Sequence, residues 1–126
     1  METLRRCQRL TSSSLFREAM DRGRVFRGRH FTLFCQASGS PEPVRAGFFA
    51  SKRLGNAVRR NRAKRRVREA YRRLGWRVEE TGVRLVFQAK RDAAGSPFRE
   101  IVAEMDLILG RAVAAIRPRR EAGDNA

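Results

Sequence analysis

Between Lys52 and Arg73, eleven of 22 positions are Lys or Arg, and a single acid, Glu69, stands among them. This run limits the possible folds and partners of the chain more than any other feature. It carries +10 of a formal net charge of +16, so the rest of the chain holds only +6. A solvated helix face ordinarily mixes signs at i,i+4, because like charges there repel by a few tenths of a kcal/mol per pair. Here the repulsion is left uncompensated. The balancing anions must come from outside the chain, and a polyanion that sheds condensed counterions on binding supplies them.

The run reads as a helix over roughly Asn56 to Leu74. At about 100° per residue, Ala63, Val67, Ala70, Tyr71 and Leu74 form one apolar stripe. Asn61, Arg62, Arg65, Arg68 and Arg72 lie around the opposite side, with Arg59, Arg66 and Arg73 on a flank. Arg60 and Lys64 border the stripe, where their stems can cover apolar surface while their heads reach out. Arg outnumbers Lys, which suits bidentate grip on phosphate oxygens. The helix is embedded between predicted strands, so nucleic acid is the better partner than a lipid surface. Charge does not separate RNA from DNA, but no helix-turn-helix, homeodomain or zinc-finger pattern is present.

The remaining elements follow from periodicity. Ser12 to Arg22 reads as a helix capped by Ser12 or Ser13, with Leu15, Phe16, Ala19 and Met20 on one face and Gly23 as its stop. Val25 to Gln36 alternates as strands, with Phe31, Leu33 and Cys35 opposed to Thr32, Phe34 and Gln36. Ser38 to Pro43 is turn-rich. Arg45 to Ser51 is extended, with Ala46, Phe48 and Ala50 on one side. Gly75 ends the basic helix, and Gly82 precedes a strand over Val83 to Lys90 whose Val83, Leu85, Phe87 and Ala89 share a face. Ser96 and Pro97 then open a helix with Phe98, Ile101, Val102, Met105, Ile108, Leu109, Ala112 and Ile116 at helical spacing. Pro118 is its expected end. The order α-β-β-β-α-β-α describes one α+β domain, a four-stranded sheet sandwiched with helices. Its ordered core is expected over about residues 9–117, with a frayed basic N-terminus and a polar tail over 118–126.

Other classes are disfavoured. The longest unbroken apolar stretches, such as Ala112 to Ile116, are five residues, far below the ~18 that span a bilayer. The opening METLRRCQRL lacks the apolar core of a secretory signal. Cys7 and Cys35 form no C-x-x-C pair, and with His30 as the only imidazole a Cys/His zinc site cannot be built from a usual ligand set. A reduced, cytoplasmic protein is expected. His30 reads as a strand-end residue that packs or touches RNA, and Glu79 and Glu80 as a solvated pair. No side-chain constellation for catalysis is evident, so neither catalytic residues nor metal ligands are assigned to the protein.

The stretch Ser51-Lys52-Arg53-Leu54-Gly55-Asn56-Ala57-Val58-Arg59-Arg60-Asn61-Arg62-Ala63-Lys64-Arg65-Arg66-Val67-Arg68-Glu69 closely resembles the Arg-Asn-Arg signature of the bacterial ribonuclease P protein family. Arg9-Leu10, Phe16, Gly23, Arg29 to Phe34, Arg45-Ala46-Gly47 and Ala89-Lys90 extend the match, so the resemblance covers roughly residues 5–117. It implies an α-β-β-β-α-β-α sandwich with a left-handed βαβ crossover, against the usual handedness. It also implies a protein that joins a catalytic RNA to remove the 5′ leader of precursor tRNA, hydrolysis being performed by the RNA with bound Mg2+. The implied partners are the ribonuclease P RNA and precursor tRNA, with no membrane and no protein partner required.

Carried over by position, Lys52, Arg53, Asn56, Arg60, Asn61, Arg62, Lys64, Arg65 and Arg68 would face RNA. Phe16, Met20, Phe34 and Lys90 would line a leader-binding cleft, an aromatic groove suited to a single strand. Plain core packing accounts for Phe16 equally well. Met20, Phe34, Phe49 and Gln88 depart from common residues of the family. Reversal of Arg62 and Arg65 is expected to weaken RNA assembly with little loss of folding. The alternative function is a noncatalytic RNA-binding module of the same small fold, associated with the ribosome.

Overall fold

Alternating strand patterns and three amphipathic helices assemble into a sheet with a different covering on each face. The structure, a computed structural model, describes residues 13–37, 44–74 and 83–125. Ser12, the Ser38 to Pro43 connection, Gly75 and Gly82 lie outside these, as do the side chains of Leu15 and Ile116. The elements are α1 (Ser13–Arg22), β1 (Arg24–Arg27), β2 (Phe31–Ala37), β3 (Arg45–Ala50), α2 (Ala57–Leu74), β4 (Val83–Ala89), α3 (Asp92–Gly95) and α4 (Phe98–Asn125), with a 3-10 turn at Lys52–Leu54 before α2. The strand order is β1-β2-β4-β3. β1 pairs antiparallel with β2, and β2 antiparallel with β4. β3 runs parallel to β4, so β3, α2 and β4 form a βαβ unit.

Strand alternation decides which side chains meet which helices. Phe31, Leu33 and Cys35 of β2, Ala46 of β3, and Val83, Leu85, Phe87 and Ala89 of β4 are buried in the main core. Ala63, Val67, Ala70 and Tyr71 of α2 and Ile101, Met105, Ile108, Leu109 and Ala112 of α4 complete it. Phe87 sits at its centre. Its ring stacks on Phe48 at 5.0 Å and meets Phe31 and Tyr71 at 5.5 and 5.2 Å. Each such pair adds about 0.5–1.5 kcal/mol beyond area burial. The apolar stripe expected for α2 is thus the one it buries.

Two expectations are corrected. A one-turn helix, α3, precedes α4 where the sequence shows only a cap. One turn has no amphipathic period, and tertiary contacts hold it: Arg29 Nε donates to Asp92 at 2.9 Å. That bond holds the Asp92 carboxyl below its ordinary range and raises the Arg29 guanidinium. Second, α4 continues past Pro118 to Asn125. A proline removes one hydrogen bond, at about 3 kcal/mol, yet its fixed φ is itself helical, so the chain can run on.

Cys35 lies under this core. Burial pushes its thiol up to about 12, against a smaller opposing pull from Arg24. Thiolate is the reactive form. In a Cys7→Ser background the native protein should show no prompt reaction with a thiol reagent at pH 8, and one equivalent after unfolding. Prompt native labelling would contradict the packing of β2.

Candidate nucleic-acid interface

The basic run divides into tethered and unpartnered cations. Asn56 caps α2, its Oδ1 accepting the Arg59 N–H at 2.9 Å. Arg60 Nη1 donates back to the Gly55 carbonyl at 3.0 Å. Arg62 Nε and Arg66 Nη1 donate to the carbonyls of Ala94 and Ala93 at 2.7 and 2.9 Å. These two cations therefore serve the C-terminal end of α3, where orphan carbonyls favour positive charge. Burial, and then the neighbouring Arg62, lower the Arg66 pKa. Arg73 lies over the Phe98 ring at 4.9 Å, and Arg72 pairs with Glu69 at 2.6 Å.

The side chains of Lys52, Arg53, Arg59, Asn61, Lys64, Arg65 and Arg68 make no hydrogen bond or ion pair among the described residues. Lys52 and Arg53 are exposed on the turn before α2, while Asn61 and Arg65 are exposed on the helix itself. Unpartnered guanidinium and ammonium groups on one rigid helix and its leading turn form a surface for phosphate oxygens. Arg62 is corrected: its reversal would disturb α3 as well as any RNA contact. Arg65 and Arg68 carry no such structural duty.

The opposite sheet face holds a second, smaller apolar cluster. Ala19 of α1 and Val86 of β4 are fully buried there, and Phe16, Met20, Phe34 and Phe49 pack around them half-exposed. Phe16 meets Phe49 edge-on at 5.7 Å. Phe34 and Gly47 flank Val86 in register on either side. A Cβ on Gly47 would collide with the edge of the Phe16 ring, so glycine lets α1 settle onto the sheet. Phe16, Met20 and Phe34 are thus together in one half-exposed apolar patch, where the cleft is expected. Phe16 is both a packing residue and part of the accessible surface.

Lys90 stands apart from that cluster. It lies four residues beyond Val86 along β4, about 13 Å at strand rise. Its Nζ donates to the Gly28 carbonyl at 2.7 Å, in the β1–β2 turn. Glu104 of α4 holds the same turn: its carboxylate accepts the backbone N–H of Arg29 at 2.6 Å and of His30 at 2.8 Å. His30 Nδ1 lies 3.1 Å from Glu104 Oε1, and since a carboxylate oxygen only accepts, Nδ1 carries the proton. His30 is therefore a buried packing residue.

A family model described as Ribonuclease P matches residues 4–113. The chain belongs to the ribonuclease P protein family. It is 38% identical over 119 residues to the ribonuclease P protein component of Chloroflexus aggregans, covering 94% of this chain and 87% of that one. A second relative, the ribonuclease P protein component of Symbiobacterium thermophilum, is 36% identical over 109 residues, with 86% and 94% covered. Among solved structures, the RNase P protein of Staphylococcus aureus superposes with a TM-score of 0.70 at 23% identity, covering 86% of this chain and 96% of that one. The RNase P protein from Thermotoga maritima gives 0.69 at 23% identity, with 82% and 96% covered. At that identity the two structures speak for the fold, which agrees.

Within this ribonuclease P protein, sequence reasoning left out three contributors to the surfaces above. Phe49 completes the aromatic cleft; it alternates with Phe48, and the sheet register puts it on the face of Phe34. Val86 floors the cleft by the same alternation within β4. Arg59 has no hydrogen-bond or ion-pair partner among the described residues, a fact no residue pattern reveals. Among the described residues no three His, Cys, Asp or Glu side chains gather to hold a metal ion. No described helix is long and apolar enough to cross a membrane.

Proposed function

We propose that this chain is the protein subunit of ribonuclease P, a cytoplasmic ribonucleoprotein that removes the 5′ leader of precursor tRNA. The family match over residues 4–113 carries this reading. Lys52, Arg53, Asn56, Arg60, Asn61, Arg62, Lys64, Arg65 and Arg68 dock α2 and its leading turn on the catalytic RNA. Asn56, Arg60 and Arg62 do so while also shaping the helix start and α3. Mg2+ bound by the RNA supplies the hydrolytic chemistry. The protein's part is to neutralise phosphate repulsion and to hold the substrate.

The leader lies across the cleft formed by Phe16, Met20 and Phe34, with Lys90 meeting its backbone at the far end of the sheet face. Half-exposed aromatics beside cationic groups suit a single strand, each stacked base contributing about 1–3 kcal/mol. Phe16→Ala should weaken binding of precursor tRNA to the RNA–protein complex by about tenfold. Binding of mature tRNA should change little, and Phe16→Leu should retain the fold. Equal weakening for both tRNAs would return Phe16 to packing alone. Stimulation of leader cleavage in a reconstituted enzyme tests the reading as a whole.

A further inference from the structure

A groove of about 500 Å³ opens between the first turn of α2 and the segment running from β4 through α3. It lies beside α2, while the aromatic cleft lies on the sheet face that α1 covers. Val58, Arg59 and Arg62 line one side, with Arg91, Gly95 and Ser96 on the other. It is an open groove and not an enclosed cavity, so a ligand in it would keep one side exposed. Three observations about it are not explained by the fold.

First, Val58 is 78% exposed, an apolar side chain in the midst of arginines. It contributes nothing to the core. Second, the side chains of Arg59 and Arg91 have no hydrogen-bond or ion-pair partner among the described residues. The acid that also lines the groove, Asp92, is already held by Arg29 at 2.9 Å. Third, nothing in the packing requires glycine at position 95. A Cβ there would meet no atom within 4 Å, and its backbone is not in the left-handed region. What a side chain at 95 would do is project into open space at the groove wall.

An apolar surface, two guanidinium groups without partners among the described residues and a wall bare of side chains at position 95 fit one kind of ligand. A nucleotide presents an apolar base face and an anionic phosphate a few ångströms apart. A duplex is too wide to enter such a groove, whereas an unstacked nucleotide can. We infer that the groove takes one unpaired nucleotide of the ribonuclease P RNA, its base against Val58 and Gly95 and its phosphate between Arg59 and Arg91. Ser96 lines the same groove and offers a hydroxyl to a polar group of the nucleotide. This rests on the function proposed above, and it adds a base-sized subsite to a surface otherwise described only by charge.

The test measures assembly of the full-length protein with ribonuclease P RNA, alongside thermal melting and 2′-hydroxyl acylation probing of the RNA. Gly95→Leu should weaken assembly about tenfold, with an unchanged melting temperature. Val58→Ala, which cannot disturb the core because Val58 is exposed, should weaken it several-fold. One unpaired nucleotide protected by the wild type should lose its protection in both variants. Arg59→Ala and Arg91→Ala should each lower the salt slope by about one. Wild-type assembly with both Gly95→Leu and Val58→Ala unimpaired would overturn the subsite alone. Normal assembly combined with a loss confined to precursor tRNA binding would also overturn it, assigning the groove to the leader. If the wild type fails to bind ribonuclease P RNA, the proposed function falls and the subsite with it.

Discussion

Replacing Arg65 and Arg68 together by Glu should lower affinity for ribonuclease P RNA by at least about a hundredfold at moderate salt, with the melting temperature nearly unchanged. Neither guanidinium has a partner among the described residues, so folding loses no bond when they go. Folding gains slightly, because the uncompensated repulsion along α2 is relieved. Binding loses two phosphate contacts and acquires two repulsive charges, and the slope of log affinity against log salt should fall by about two. The contrast is the pair Arg62 and Arg66, four residues apart on one line of α2. Their bonds to Ala94 and Ala93 tie α2 to α3. Reversing that pair should lower both affinity and melting temperature. If the Arg65/Arg68 variant were to melt early or bind normally, this sorting of the basic run would be wrong.

Glu104→Ala should damage the fold as much as truncation of a core side chain. One carboxylate, its side chain only 15% exposed, accepts two backbone N–H groups and the His30 ring. The turn it grips approaches α4 so closely that a Cβ on Gly28 would lie 2.6 Å from Glu104 Cδ. Truncation leaves three donors without their acceptor, at about 3 kcal/mol in sum. For a chain of this size that lowers the melting temperature by about 10 °C. Glu104→Gln keeps an acceptor oxygen and the same shape, so it should recover much of the loss. The same turn presents the Gly28 carbonyl to Lys90, so Glu104→Ala should also weaken leader binding beyond what stability explains. A melting temperature within 2–3 °C of wild type, typical of a surface change, would refute the clamp.

Much of this architecture is readable in the chain because burial follows period. The stripe Ala63, Val67, Ala70 and Tyr71 and the alternation through β2 and β4 each bury the face their spacing marks. The Arg-Asn-Arg signature marks the element proposed to face RNA by residue type alone. What resists reading is anything joined by distant pairs. Glu104 reaches a turn some 75 residues away, and no local pattern distinguishes it from Glu100. The division of the basic run depends on α3, a single turn that exists through contacts with α2 and Arg29. In the cleft, Phe16 could be read as core or as surface because it is both: it closes over Gly47 and stays half-exposed.

The most direct test of the central claim is reconstitution with a bacterial ribonuclease P RNA, measuring 5′-leader cleavage of precursor tRNA at low Mg2+. Neither component alone should cleave appreciably under these conditions, and together they should release the leader to leave the mature 5′ end. Arg65→Glu/Arg68→Glu should restore cleavage only at much higher protein concentration. A protein that binds the RNA yet leaves cleavage unstimulated would contradict the account and make this chain a noncatalytic RNA-binding module.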